Sequence, residues 1–284
     1  MVDLYTGMAL MLAAAAVAFF VGQRLSRATR PRTTTVLALL TCAFIVCFAL
    51  LVRDHLLLTR LIPSSAAIIY GNPLPPAVAL LCGIGCHRMP RRAWRKGVLL
   101  LPLALLCLYQ SYGLLLMGRP PPLDDRWKDG VCRQTSLASC SAAAAATLLR
   151  AYGIGATETE MAEVCLTRQG GTPMLGLYRG LKLKAAGSGM GVQAFRSDIA
   201  SLRAEAGPVI LSVRLDRRPD VDPRYERLWG WAPGVAHTVV FFGFDADGKA
   251  EIGDPAVDRE HWRMEDLEVL WHGDGMRVTT APIR

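Results

Sequence analysis

The chain has 284 residues, 52% of them hydrophobic, and a formal net charge of +8. Up to Gly118, eleven Lys and Arg stand against only Asp3 and Asp54, whereas from Arg119 onward 21 basic residues face 22 acidic ones. The second half is nearly neutral and has no basic stripe with interleaved aromatics, which removes nucleic acid from the expected partners and leaves the basic excess of the first half as a topology signal.

Leu4–Val21 is an 18-residue stretch free of charge, about the minimum that crosses a hydrocarbon core of ~30 Å. A cleaved signal peptide carries its basic residues before the apolar stretch. Here Asp3 precedes, and Arg24, Arg27, Arg30 and Arg32 follow, so an uncleaved helix is expected. Residues 33–52 and 97–116 are further apolar runs long enough to cross. The run over 62–86 is also apolar but is interrupted by Asn72, Pro73, Pro75 and Pro76, which predicts a kink or a segment that dips in and returns. Lys and Arg beside spans stay in the cytoplasm. The four arginines at 24–32 and the five basic residues at 87–96 lie on one side if 62–86 crosses. That reading, which we adopt, gives four spans with both termini outside and the C-terminal half in the periplasm or exterior; without that crossing there are three spans and a cytoplasmic domain. No ionisable side chain falls inside a span, so the lipid bilayer is the partner of residues 1–118 and anchoring is their expected role. Cys42, Cys47, Cys82, Cys86 and Cys107 read as small buried hydrophobes.

Residues 119–130, rich in proline and charge, read as a linker, and 131–284 as a folded domain. Ser139 is positioned to cap a helix that opens at Cys140 and continues through an alanine run. The unpaired N–H groups and dipole at a helix start favour thiolate, the nucleophilic form of cysteine. Gln134, six residues upstream, could aim an amide N–H at an oxyanion formed on an attacked acyl group. Thr157-x-x-Glu160 predicts a capping box and a helix through Arg168, and Thr172 a third helix start. Strands are expected over 191–195 and 208–215, with a short helix over 197–206 between them. A hairpin follows, His237–Phe244 and Lys249–Ile252 around Asp-Ala-Asp-Gly, then a helix over 264–271 and a strand over 276–280. Helices first and antiparallel strands later make an α+β domain. Of the three histidines in this half, His237 alone opens a hydrophobic strand, where a sheet can hold its ring toward Cys140. His261 and His272 flank tryptophans and read as edge residues. Met190, Trp229 and Trp231 are groove candidates, and Cys132 and Cys165 are either a disulfide or two buried thiols. Asp254, at the end of the hairpin in Asp-Pro, is by itself an ordinary turn residue.

Gln134, five residues, Cys140 opening an alanine-rich helix, Leu-Leu-Arg-x-Tyr-Gly, then Gly170-Gly171-Thr172, His237 in Ala-His-Thr-Val-Val and Asp254 in Gly-Asp-Pro resemble, in order, the bacteriocin-processing (double-glycine leader) papain-like cysteine peptidase family. The resemblance covers about the last 150 residues. It implies an α+β papain-like cysteine peptidase domain preceded by an α-helical transmembrane bundle, with Cys140 as nucleophile, His237 as base, Asp254 accepting the His237 Nδ1–H, and Gln134 as oxyanion donor. The expected activity is a membrane-anchored cysteine peptidase acting on a peptide or protein substrate such as a leader, with no cofactor. The family usually has glycine after the nucleophile. Ser141 stands there in this chain and would narrow the substrate groove. That departure keeps open a non-catalytic peptide-binding module, and composition alone does not separate hydrolysis from acyl transfer. No G-x-x-x-x-G-K-[ST] phosphate loop occurs in the sequence, so any export would fall to a separate transporter.

Overall fold

The structure is a computed structural model that describes residues 1–88, 93–113, 118–218 and 221–280, with side chains of 87, 88 and 93–99 left aside. The basic cluster at 87–96 and the end of the expected 97–116 span therefore lie largely outside the described residues. Two compact units are present, one of Met1–His55 with Ala66–Gly118 and one of Leu56–Ser65 with the chain from Arg119 onward.

In the first unit, α1 (Val2–Ala28) and α2 (Pro31–Cys47, continued by one π turn over Phe48–Val52) are long apolar helices. A short α4 (Ala67–Tyr70), numbered after α3 (Leu58–Leu61), precedes α5 (Leu74–Arg88). The break between α4 and α5 falls at the Asn72–Pro73 step, where Asn72 Oδ1 accepts the Leu74 N–H at 3.2 Å. Helix α6 (Ala93–Leu108) also ends in a π turn, Tyr109–Gly113. By length and composition Val2–Ala28, Pro31–Val52 and Ala67–Cys86 could each cross a membrane, and Leu100–Gly113 is a shorter apolar helix. Glycine lets α1 and α5 meet backbone to backbone: a Cβ at Gly83 would collide with the Phe19 carbonyl, and one at Gly22 with the Leu80 carbonyl. Such small-residue crossings are how helices associate in lipid, where no hydrophobic force drives them together. Leu39, Leu40 and Phe44 on α2 remain exposed, the surface that hydrocarbon would cover.

The second unit is α+β, as the sequence predicts. Strands β1 (Arg126–Lys128) and β2 (Val131–Arg133) form a hairpin that occupies the end of the expected linker. Helix α7 (Cys140–Ala151) follows, then α8 (Glu158–Val164) and α9 (Met174–Ala186). Strands β3 (Gly191–Arg196), β4 (Val209–Arg214), β5 (Ala236–Phe244), β6 (Ala250–Asp254), β7 (Asp258–Trp262) and β8 (Trp271–Thr279) make one antiparallel sheet in the order β3-β8-β4-β5-β6-β7. Single turns α10 (Ile199–Leu202) and α11 (Arg224–Arg227) and the short α12 (Met264–Leu270) connect them.

Several elements differ from expectation. The Thr157/Glu160 capping box is present, but its helix stops at Val164 rather than Arg168. Thr172 does not cap α9; Pro173 occupies the N-cap position with no side-chain cap, and the Thr172 hydroxyl lies 2.7 Å from that of Thr167. The helix expected over 197–206 is one turn, capped by Asp198. Cys132 and Cys165 are both buried free thiols, not bonded to each other, and burial pushes both up to about 12. Cys165 sits against α9, where a Cβ at Gly180 would collide with its sulfur and come within 3.1 Å of its backbone nitrogen. Gly180→Ala is expected to cost about 1–3 kcal/mol through overpacking, read as a lower thermal midpoint of the detergent-solubilised chain. An unchanged midpoint would show that α9 can shift away.

Candidate active site

Helix α7 carries the first element of the site. Ala142 to Ala146 are all completely buried, and side chains that end at Cβ allow the helix backbone to lie close to the strand it crosses. Cys140 is thereby set at the open end of the helix, beside β5. Ser139 is the N-cap residue, yet its side chain makes no cap; it donates to the Ser136 carbonyl at 2.8 Å and so shapes the approach loop. That loop is anchored twice more. The Gln134 N–H donates to the Pro255 carbonyl at 2.9 Å, and the fully buried Glu158 carboxylate accepts from Thr135 N–H at 2.8 Å and Thr135 Oγ1 at 2.7 Å.

His237 enters from the open end of β5, and Asp254 from the end of the neighbouring β6. His237 Nε2 donates to Asp254 Oδ1 at 2.8 Å. This differs from the Nδ1 contact expected from the sequence: Nε2 faces the carboxylate, and the Cys140 thiol also acts on the ring to raise its pKa. Asp254 also fills the role of turn residue, since the same Oδ1 accepts the Ala256 N–H at 2.7 Å. The turn fixes the carboxylate and the carboxylate fixes the ring.

Electrostatics follow from this geometry. Burial alone would pull the His237 pKa down, but hydrogen bonds and charge from Asp254 and Cys140 outweigh it and raise it to about 10. For Cys140 burial opposes ionisation, and His237, the Ser141 hydroxyl and the Thr238 backbone overcome it, lowering the thiol below its ordinary value. Both shifts run in the direction of a thiolate–imidazolium pair, in contrast to the two raised thiols at 132 and 165.

Gln134, Cys140, His237 and Asp254 line one cleft. Gln134 uses one amide hydrogen on the Ser136 carbonyl at 3.2 Å; an amide nitrogen carries two. Trp231 packs edge-on against His237 with centroids 5.7 Å apart, and against Trp262 at 5.9 Å. Trp229 also lines the cleft, but Met190 does not. His261 pairs with Asp245 at 2.8 Å, and His272 bonds the Arg214 carbonyl at 3.2 Å. Neither joins the group around Cys140, although His261 borders the same cleft. Glu260, missed in the sequence, lines the cleft from β7 and accepts Trp262 Nε1–H at 2.7 Å; burial raises its pKa. Ser141 does not narrow the groove as expected. It is buried, with its hydroxyl 2.8 Å from that of Thr238.

The Peptidase C39 family model matches residues 128–218, which include Gln134 and Cys140. An uncharacterized protein of Methanothermobacter marburgensis is 40% identical over 148 residues, 52% of this chain and 87% of its own length. The segment 128–218 is thus similar to the peptidase C39 family. Among solved structures, the peptidase domain of Streptococcus ComA, a bi-functional ABC transporter involved in a quorum sensing pathway, is 21% identical with a TM-score of 0.41, covering 53% of this chain and 96% of that one. A double glycine motif protease from an AMS/PCAT transporter, in complex with the leader peptide, is 19% identical with a TM-score of 0.39, covering 58% and 95%. The matched segment lies within the second unit and contains Cys140, whereas His237 and Asp254 lie beyond it.

Proposed function

We propose that the chain is a membrane-anchored cysteine peptidase. The observation that carries this reading is the 2.8 Å His237–Asp254 hydrogen bond in the same cleft as Cys140 at a helix start. In this mechanism the Cys140 thiolate attacks a peptide carbonyl carbon, and the carbonyl oxygen becomes an oxyanion for the second Gln134 amide hydrogen. The C–N bond then breaks as His237 gives its proton to the leaving amine. Water, deprotonated by His237, cleaves the remaining thioester and releases the acid.

Exposed apolar side chains border the cleft. Leu137 is 98% and Leu228 77% exposed, a wall suited to apolar side chains of a peptide. The transporter context of the structural relatives supports a leader peptide as substrate and a separate exporter as partner. Intact Cys140, His237 and Asp254 favour catalysis over a binding module.

Topology is part of the reading. Leu56–Ser65, which joins the second apolar helix to the third, belongs to the same compact unit as the C39-like domain. A connector and a domain that pack together share one side of a bilayer, which requires an even number of crossings between Ser65 and Arg119. In this reading the chain has four spans, with the arginines at 24–32 on the cytoplasmic side and the domain opposite. Incubation of the purified chain with a double-glycine leader peptide tests the activity: wild type is expected to release two fragments and Cys140→Ala none. Release by both, or by neither, would contradict the proposal.

A further inference from the structure

Two residues next to the active groups are joined to each other. Ser141 follows the nucleophile and Thr238 follows the base. Their hydroxyl oxygens are 2.8 Å apart, and both residues are more than nine-tenths buried. The Ser141 hydroxyl is also 3.9 Å from Cys140 Sγ. A hydroxyl both donates and accepts. If Thr238 donates to Ser141, the Ser141 hydrogen is free to point at sulfur, and the three groups form one chain of hydrogen bonds ending on the thiolate.

We propose that the Ser141–Thr238 pair is a positioning device, a pin between α7 and β5 that sets the separation of Cys140 from His237 and places a hydroxyl dipole on the thiolate. The proposal rests on the peptidase reading of the site but assigns residues that reading does not use. With glycine at 141 the Thr238 hydroxyl would lose this buried partner, a cost in its own right. The lowered pKa of Cys140, to which Ser141 contributes, agrees with the pin. The titratable group that acts on the sulfur is His237 on β5, which in turn interacts with Asp254 on β6 and Glu260 on β7. The substitutions that remove the pin leave each of these residues unsubstituted.

The test uses the full chain in detergent, with Thr238→Val, Ser141→Gly, Thr238→Ser and the double variant Ser141→Gly/Thr238→Val. Two readouts are taken: kcat and KM on a double-glycine leader peptide, and the pH dependence of Cys140 alkylation by iodoacetamide. Thr238→Val keeps the shape and removes the hydroxyl. Each of Thr238→Val and Ser141→Gly is expected to lower kcat by about tenfold, the size of one hydrogen bond to a charged group, with KM within about twofold. The alkylation midpoint is expected to move up by about half to one pH unit in both. Thr238→Ser should behave as wild type, and the double variant should lose no more than the weaker single one, since each change already breaks the same bond. A wild-type kcat and alkylation profile in Thr238→Val or in Ser141→Gly would overturn the proposal, as would two fully additive losses. Failure of the peptidase reading is distinguishable: wild type would then cleave no peptide, while the alkylation midpoints would still shift if the pin exists.

Discussion

His237→Ala is expected to lower kcat/KM for peptide cleavage by roughly 10³–10⁴-fold, the largest effect of any substitution outside Cys140 itself. Two losses combine. General acid–base transfer by a placed imidazole contributes about 10²–10⁴-fold, and the cysteine also loses the hydrogen bond and positive charge that lower its pKa. Burial then acts on the sulfur with less opposition, and the thiol moves up toward the behaviour of Cys132 and Cys165, both near 12. Stopped-flow or mass-spectrometric assay of leader cleavage checks this. A loss below about tenfold would mean that the imidazole is not the proton carrier.

Asp254→Ala carries the second large effect, and it appears in the pH profile. In the wild type the leaving amine needs the proton held on His237. With a His237 pKa of about 10, activity is expected to persist through neutral pH and to decline only as pH rises toward 10. The acid limb marks protonation of Cys140 and falls below the ordinary thiol value of 9.0; the two limbs belong to the coupled pair. Removing Asp254 deletes the accepting carboxylate at Nε2, while burial, which lowers the His237 pKa, remains. The alkaline limb should therefore move to lower pH, and kcat should fall by roughly 10²–10⁴-fold as the ring loses its fixed orientation. Asp254→Asn should retain more of the turn, because an amide oxygen can still accept the Ala256 N–H. An unmoved alkaline limb in Asp254→Ala would separate the aspartate from the histidine.

What the sequence could disclose follows from how local each signal is. Cys140 at a helix start was legible because an alanine run after Ser139 leaves little choice of structure, and the β5–β6 hairpin because Asp-Ala-Asp-Gly is a turn whatever surrounds it. Strand β7 was not legible. Its Asp-Arg-Glu-His sequence reads as a loop, yet it is the edge of the sheet, where charge is favoured because it discourages further strand pairing. Glu260 lies on this strand and carries no separate signal in the sequence. The sequence shows strand β8 only over 276–280 because Gly273 and Gly275 interrupt the apolar pattern; Gly275 lies between β3 and β4, where a Cβ would collide with the Phe195 ring. The ring orientation of His237 and the Ser141–Thr238 pair depend on how two distant segments meet, which spacing along the chain does not encode.

The most direct measurement is labelling of intact cells with a membrane-impermeant thiol alkylator near neutral pH, comparing wild type with His237→Ala. Cys140 is the one cysteine in the tryptic peptide from Gln134 to Arg150, so mass spectrometry of that peptide reads it alone. Rapid labelling of the wild type that slows at least tenfold in the variant is the predicted result, joining an external C39-like domain to a histidine-activated thiol. Equal labelling of the two proteins, or labelling only after the cells are opened, would contradict the account, the first in its chemistry and the second in its topology.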